Sequence, residues 1–240
     1  MVDPASRYEE IKIPLGEPIH GLDAVSAVVG VPRWWPTGSR VGVVLAHGTT
    51  GDMNSEAIEG LHRSLTERRY FCLRFNFPFA EAGKRRPDAL PVLRRTMRAA
   101  LGALGRDPTA APAHLFLGGI GLGGQVAADL AAARIRVDGL FLMAYPLHPA
   151  GKPDELQPEQ LFRIVSPALF VQGDRDSTCD VETLRQTLVR VGAPTLFRVI
   201  PEADRQFKVL KKSGRTPQEV MDQMTNAVDE WIQGILGGTT

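Results

Sequence analysis

A segment near the middle of the chain constrains the fold more than any other. It begins with a short apolar run at 114–117, passes through a glycine-rich turn, and continues as an amphipathic helix at about 123–133. Glycine permits the tight turn that such a connection needs. A strand that leads directly into a helix is typical of proteins in which strands and helices alternate around a largely parallel sheet.

The rest of the chain follows the same alternation. Hydrophobic periodicity predicts strands at 8–14, 22–31, 41–46, 70–75, 114–117, 139–144, 168–172 and 195–200. It predicts helices at 55–68, 89–104, 123–133 and 181–191, and a last helix that begins at the cap sequence Thr216-Pro217-Gln218-Glu219. The first two strands should form an antiparallel pair, and the proline-containing segments 76–88 and 145–160 should be loops. We therefore expect one α/β domain over residues 1–240, with a mostly parallel sheet of about eight strands and helices on both faces.

The glycine turn has the layout of a nucleophile elbow but lacks the nucleophile. In the pattern Gly-x-Ser-x-Gly, a sharp strand-to-helix turn exposes a serine hydroxyl above the sheet. Here the frame reads Gly119-Ile120-Gly121-Leu122-Gly123, which puts Gly121 in the serine position. Glycine has no side chain with which to attack a carbonyl, so the turn as it stands cannot supply a serine nucleophile.

Several further segments carry a family resemblance over nearly the whole chain. They are the stretches 45–54, 71–75, 76–88, 116–119, 144–149 and 170–173, with Asp176 just after the last. In these stretches the chain resembles the α/β-hydrolase superfamily, in its dienelactone-hydrolase-like branch. More narrowly, it is similar to the family shared by a small testis-expressed protein and a subunit of a chromatin acetyltransferase complex. The resemblance implies the α/β-hydrolase fold, whereas function has to be argued at the site.

The resemblance also implies where a catalytic triad would lie. Asp176, in Gly173-Asp174-Arg175-Asp176, occupies the place of the acid and is retained. The histidine base is expected in the sequence that here reads Ala203-Asp204-Arg205, so Arg205 stands at the base position. Arginine keeps its proton in proteins and cannot serve as a general base. Arg205 could instead form an ion pair with Asp176.

A few other residues could replace the missing nucleophile and base. His148 follows a predicted strand and is the strongest alternative base, although the resemblance gives it a supporting role. Cys179 lies close to Asp176 in sequence, but a reactive thiol needs a lowered pKa and a partner base. His47 is expected to shape a backbone turn. The backbone N–H groups of Thr49 and Leu122 would still form an oxyanion or ligand-binding site.

The same glycines also match a dinucleotide-binding fingerprint, Gly119-x-Gly121-x-x-Gly124. A Rossmann site places this motif after the first strand and an acidic residue at the end of the next one. Here the motif lies in mid-chain, and the following strand ends Met143-Ala144-Tyr145 without an acid. The match therefore does not predict a nucleotide cofactor, and no cofactor is expected. No spacing of histidine, cysteine or acidic residues indicates a metal site either.

Composition restricts the partners and the compartment. The formal net charge of +1 does not favour nucleic acid or an anionic membrane as the main partner. The first ten residues are charged, so we expect no signal peptide there. We also expect no membrane span, because no apolar run is long enough, and no disulfide framework from only two cysteines. We therefore expect a cytoplasmic protein. Trp34 and Trp35 cover early strands or contact a partner, and 84–86 and 205–215 are local basic clusters.

Three functional hypotheses follow from these observations. In the first, the chain is a pseudoenzyme that binds a small ligand or a protein in the former active-site cleft. In the second, it is a hydrolase, lyase or isomerase that uses a different residue set, such as His148, Asp176 or Cys179. The third, implied by the chromatin-complex resemblance, is an interaction subunit.

Overall fold

A computed structural model describes residues 5–33, 35, 40–105 and 111–237. The eight strands are β1 (Arg7–Ile19), β2 (Leu22–Val31), β3 (Val41–Ala46), β4 (Phe71–Phe75), β5 (His114–Ile120), β6 (Gly139–Met143), β7 (Ala168–Gly173) and β8 (Thr195–Ile200). The α-helices of the described residues are α1 (Glu56–Glu67), α2 (Pro78–Glu81), α3 (Leu90–Leu104), α4 (Leu122–Ala132), α5 (Val181–Leu188) and α6 (Pro217–Gly237). The described residues form an eight-stranded, mostly parallel sheet with α-helices between the strands, as the sequence predicts.

The contacts divide the chain into two compact units, Met1–Gly118 and Gly119–Thr240. In the first unit the strand order is β1-β2-β4-β3-β5, and in the second it is β6-β7-β8. The β1–β2 and β2–β4 pairs are antiparallel, whereas β3–β4, β6–β7 and β7–β8 are parallel. The single-domain assignment remains a prediction.

The opening hairpin is longer than its hydrophobic pattern indicates. Ile19 pairs with Leu22, so the connection is the two-residue turn His20-Gly21. His20 and Gly21 have φ angles of 54° and 78°. A two-residue hairpin turn needs positive φ at both positions for its twist to match the twist of the two strands that it joins. The turn therefore extends β1 past the predicted end at residue 14 to Ile19.

Continuous apolar sequence produces the buried strands. Every residue of β3, β6 and β7 is buried, as expected for strands with both faces covered. The last helix begins as predicted, because Glu219 accepts hydrogen bonds from the backbone and hydroxyl of Thr216, and the Thr216 hydroxyl accepts one from the Glu219 N–H.

Two local expectations need correction or completion. The segment 76–88, predicted as a loop, contains the short helix α2. Proline is common in loops and also at the first position of a helix, so Pro78 alone does not distinguish the two. Trp35 stacks on Phe71, with ring centres 4.7 Å apart, so this aromatic residue covers the strands of the first unit. Trp34 lies outside the described residues. None of the described helices is long and apolar enough to cross a membrane.

Candidate functional site

The turn between β5 and α4 has the backbone of a nucleophile elbow. Gly121 is the N-cap of α4 and has φ 55° and ψ −113°, a conformation that residues with a Cβ adopt only under strain. Its N–H donates to the carbonyl of Met143, 2.8 Å away, and its carbonyl accepts from the N–H of Gln125. A Cβ on Gly124 would lie 3.1 Å from the carbonyl oxygen of Gly119, so small residues allow the helix to start directly behind the strand. The turn is therefore present while the attacking group is absent.

The first turn of α4 offers backbone donors. No side chain caps this helix end, and the first turn contains no acidic residue. The first N–H groups of an α-helix have no intrahelical acceptor, and the helix dipole makes this end electropositive. Leu122 begins the helix, so its N–H is one of these donors. This end of α4 can bind a carbonyl oxygen or an anionic group.

Asp176 lies in the loop that follows β7, and its carboxylate is fully engaged. Its Oδ1 accepts hydrogen bonds from the backbone N–H of Thr178, at 2.8 Å, and from the Thr178 hydroxyl, at 2.7 Å. Its Oδ2 accepts from the side-chain amide of Gln172, at 2.6 Å. Asp176 is buried, and both of its carboxylate oxygens accept hydrogen bonds. The sequence singled out Asp176 but not its two partners, Gln172 and Thr178, although both lie within four residues of it.

Thr178 also fixes the loop that follows β6. Its carbonyl accepts hydrogen bonds from the backbone N–H groups of Leu147 and His148, at 2.9 and 3.1 Å. The same residue therefore orients the carboxylate of Asp176 and anchors the segment that carries His148. Further along this segment, Gln160 accepts a hydrogen bond from Tyr145 and donates one to the carbonyl of Gln125 in α4. The predicted loop 145–160 is therefore held by hydrogen bonds to Thr178 and to α4.

The loop after β8 carries Arg205, and its shape depends on Asp204. The carboxylate of Asp204 accepts from the backbone N–H groups of Gln206 and Lys208, which closes the turn. Arg205 itself is exposed. Within the described residues no ion pair joins Arg205 to Asp176, so the pairing considered from the sequence does not form.

The loops that carry the acid and the base position nevertheless lie against each other. The backbone N–H of Arg175 donates to the carbonyl of Ala203, at 3.0 Å. A Cβ on Gly173 would lie only 2.2 Å from that same carbonyl oxygen. Backbone contacts therefore hold the ends of β7 and β8 in register even though the acid and the residue at the base position are not paired.

Neither alternative catalytic residue has the environment that it would need. Burial, together with the nearby charges of Asp176 and Asp180, raises the pKa of the Cys179 thiol to about 12, so the thiol is neutral and poorly nucleophilic at neutral pH. The Nδ1 atom of His148 is 2.9 Å from the carbonyl of Pro149. Within the described residues, His148 makes no hydrogen bond with Asp176 or Cys179. The contact with Pro149 orients the ring of His148.

In the first unit, His47 fixes the turn that contains Thr49. Its Nδ1 lies 2.7 Å from the carbonyl of Gly48, and its Nε2 lies 3.0 Å from the N–H of Phe77. Since Nε2 must accept from an N–H, the ring is neutral, and burial lowers its pKa accordingly. His47 therefore shapes the backbone, as the sequence analysis expects, and Thr49 lies exposed in this turn.

A second clamp on this turn was missed by the sequence analysis. The N–H of Met53 donates to the side-chain oxygen of Asn76, at 2.8 Å, and the carbonyl of Met53 accepts from the guanidinium of Arg74, at 3.0 Å. Glu81 accepts from the amide nitrogen of Asn76 and thereby fixes its orientation. Buried polar side chains at the end of an otherwise apolar strand are the signal that could have revealed this clamp.

No group of three or more histidine, cysteine or acidic residues in the described part of the chain could hold a metal ion. The expectation that no metal is used rests on the sequence argument and is a prediction.

Comparisons with known proteins agree with this geometry. An alpha/beta hydrolase domain family matches residues 39–233. Three similar solved structures are a dienelactone hydrolase from Anabaena variabilis, an alpha-beta serine hydrolase homologue from Coxiella burnetii, and Est1E from Butyrivibrio proteoclasticus with ferulic acid bound.

The first aligns with a TM-score of 0.73 and 17% identity, over 96% of this chain and 98% of that chain. The second aligns with a TM-score of 0.67 and 22% identity, over 91% of this chain and 96% of that chain. The third aligns with a TM-score of 0.74 and 16% identity, over 95% of this chain and 99% of that chain. At these identities the structural matches show the fold alone. The family match covers most of the sequence, and the chain belongs to the alpha/beta hydrolase domain family.

Proposed function

We propose that this chain is a hydrolase-fold protein that has lost serine-hydrolase chemistry and binds a small ligand, or a protein segment, in the former active-site hollow. The observation that carries the proposal is Gly121, which has the backbone of a nucleophile elbow and no side chain. The narrower resemblance to the testis-expressed and chromatin-complex proteins favours a protein as the partner. Two free, buried cysteines favour a reducing compartment, so we place the protein in the cytoplasm.

The loss of the nucleophile is matched by the loss of the base. Arg205 is exposed and permanently protonated, and His148 and Cys179 are engaged in structural contacts. In a triad enzyme, removing the nucleophile or the base alone costs about as much as removing all three members, on the order of 10⁶-fold in kcat. Any hydrolysis by this chain should therefore stay near the residual level that binding and oxyanion stabilisation provide.

The ligand chemistry follows from the uncapped end of α4. This end offers backbone N–H groups and no side-chain competitor, which suits a carboxylate, a phosphate or a polarised carbonyl. Ferulate is a useful probe because Est1E, a structural relative, has been solved with ferulic acid bound. Acetate and inorganic phosphate test the anionic group without the aromatic ring.

The chemical part of the proposal is tested with p-nitrophenyl acetate turnover and fluorophosphonate labelling. We expect neither in the purified protein. A Gly121→Ser/Arg205→His double variant should acquire fluorophosphonate labelling, whereas Gly121→Ser alone should label weakly because it lacks a base. Robust turnover or labelling of the unmodified chain would defeat the proposal.

The binding part is tested by thermal shift and calorimetry with ferulate, acetate and phosphate. A ligand present at about 100 times its Kd stabilises the folded state by about 2.7 kcal/mol, which is readily detected as a rise in Tm. If the probes leave Tm unchanged, a small anionic or carbonyl ligand is excluded. A pull-down from the native source then decides whether a protein occupies the hollow.

A further inference from the structure

Three polar side chains of the first unit, none of them part of the site described above, form a continuous hydrogen-bonded chain. His20 lies in the turn between β1 and β2, and Lys84 and Asp88 lie in the segment that follows α2. The Nζ of Lys84 donates to the Nδ1 of His20, at 2.6 Å. The Nε2 of His20 donates to the Oδ1 of Asp88, at 2.5 Å. An amine, an imidazole and a carboxylate are therefore linked in that order.

The end of α2 fixes the backbone of Lys84. Gly83 has φ 66°, the left-handed conformation that glycine commonly adopts just after a helix. The N–H of Gly83 donates to the carbonyl of Ala80, at 3.0 Å, and the N–H of Lys84 donates to the carbonyl of Phe79, at 2.8 Å. This pair of hydrogen bonds is the Schellman motif, in which the two residues after the helix bond back to its last turn. The position of Lys84 is thus determined by local structure.

The other two groups are fixed as well. The second carboxylate oxygen of Asp88 accepts from the backbone N–H of Phe79, at 2.8 Å, in the first turn of α2. The side chain of Asp88 is only 7% exposed, so water competes little for its oxygens. His20 is held by the two-residue turn in which its φ is 54°. The imidazole is therefore oriented by a carboxylate that is itself held in place.

The hydrogen bonds define where the protons lie. An ammonium group can only donate, so the Nδ1 of His20 accepts from Lys84 and its Nε2 carries the hydrogen that is donated to Asp88. The Nδ1 can take a proton from Lys84, and the imidazolium that forms stays paired with the carboxylate of Asp88. The amine left behind is neutral and has a lone pair with which to attack. A nucleophile, a base and a group that orients the base are the parts of an activated nucleophile.

Charge and exposure indicate which reagents can reach this amine. Lys84 is exposed, and so are the two residues that follow it, Arg85 and Arg86. Cations next to a reactive group raise the local concentration of anionic reagents. An acyl phosphate is such a reagent, because it carries an activated carbonyl group together with the negative charge of its phosphate.

We propose that Lys84 is a self-acylating modification site that takes its acyl group from an acyl phosphate. The nitrogen of Lys84 forms a bond to the carbonyl carbon, and the bond between that carbon and the phosphate oxygen breaks. The leaving phosphate carries away both protons that the ammonium loses, the first of them by way of His20. The product is an amide, which no longer carries the positive charge of Lys84. The proposal does not depend on the ligand of the elbow turn.

Competitive acetylation within one protein tests this reactivity. The purified chain is treated with acetyl phosphate, unfolded, and fully acetylated with deuterated acetic anhydride, so that mass spectrometry gives the extent of reaction at each lysine. Lys211 and Lys212 are the reference lysines, because they are exposed neighbouring cations and, among the described residues, neither is hydrogen-bonded to an imidazole. Lys84 should react at least about tenfold faster than either of them.

Two variants separate activation from exposure. His20→Asn removes the imidazole but retains the turn, since Asn-Gly is a favoured sequence for it, and acetylation of Lys84 should fall to the level of the reference lysines. Asp88→Asn still offers an oxygen to the N–H of Phe79 but removes the charge that stabilises the imidazolium, so it should also slow the reaction.

A neutral reagent separates activation from the attraction of an anion by Arg85 and Arg86. With p-nitrophenyl acetate, acylation of Lys84 releases one p-nitrophenol per chain and then stops, which distinguishes it from hydrolytic turnover. The dependence on His20 should be the same as with acetyl phosphate. Two results would overturn the proposal: acetylation of Lys84 no faster than that of the reference lysines, or a rate at Lys84 that His20→Asn leaves unchanged.

Discussion

The conformation of Gly121 predicts opposite effects of the same substitution at two glycines. Gly121→Ala places a Cβ on a residue with φ 55° and ψ −113°, at a strain of about 1–3 kcal/mol, offset by about 0.4–1 kcal/mol of lost unfolded-state freedom. Gly102→Ala is the matched control. Gly102 lies in α3, is exposed, and has no atom within 4 Å of an added Cβ, so alanine should stabilise the helix by about 0.8–1 kcal/mol.

The two variants are compared by chemical and thermal unfolding. The effect on the unfolded chain is common to both, so the difference between them reports the folded backbone at Gly121. We expect Gly102→Ala to raise Tm and Gly121→Ala to lower it, with about 2–4 °C for each kcal/mol in a protein of this size. Equal stabilisation of the two variants would refute the strained backbone conformation at Gly121.

Four further effects should be measurable. Burial lowers the pKa of His62 to about 4, so as the pH falls the unfolded chain takes up this proton before the folded protein does. The free energy of unfolding should therefore fall by up to about 3 kcal/mol between about pH 6.5 and pH 4. His62→Leu should remove this contribution to the pH dependence. Gly173→Ala forces a Cβ to within 2.2 Å of a backbone carbonyl and should cost about 1–3 kcal/mol in denaturant titrations, whereas Gly192→Ala, with open space around it, should be near neutral. Thr178→Val removes a hydroxyl donor to Asp176 and should cost about 1–3 kcal/mol, while the serine variant retains most of the stability. Because both cysteine thiols are buried with pKa values raised to about 12, a thiol reagent at neutral pH should modify none in the folded protein and both after unfolding; rapid labelling of the native chain would contradict this.

Local sequence predicted most elements because the patterns that define them are local. β3 and β8 have the predicted limits, and α1 and α3 each begin one residue after the predicted start. The short helix α2 escaped because four residues provide no periodicity. The extension of β1 to Ile19 was not predicted from the sequence. The two-residue turn His20-Gly21, rather than the alternation of apolar residues, determines where the hairpin ends.

At the candidate site, the sequence identified positions but not partners. The frame around Gly121 could be recognised because an elbow requires small residues at fixed spacing. The hydrogen-bond partners of Asp176 could not be recognised in the same way, because any nearby donor could have bonded to its carboxylate. In the structure Gln172 and Thr178 donate to it, and Arg205 does not. The clamp of Met53 by Asn76 and Arg74 depends on the loop after β3 packing against the end of β4.

By itself, the sequence determined that this protein has an alternating α/β fold and that its elbow carries no nucleophile, since both follow from residue type and spacing along the chain. Only the tertiary structure decided that the carboxylate of Asp176 bonds to Gln172 and Thr178 rather than to Arg205, and that the thiol of Cys179 is buried. These properties depend on which groups folding brings together and which it shields from water, and neither is encoded in the distance between residues along the chain.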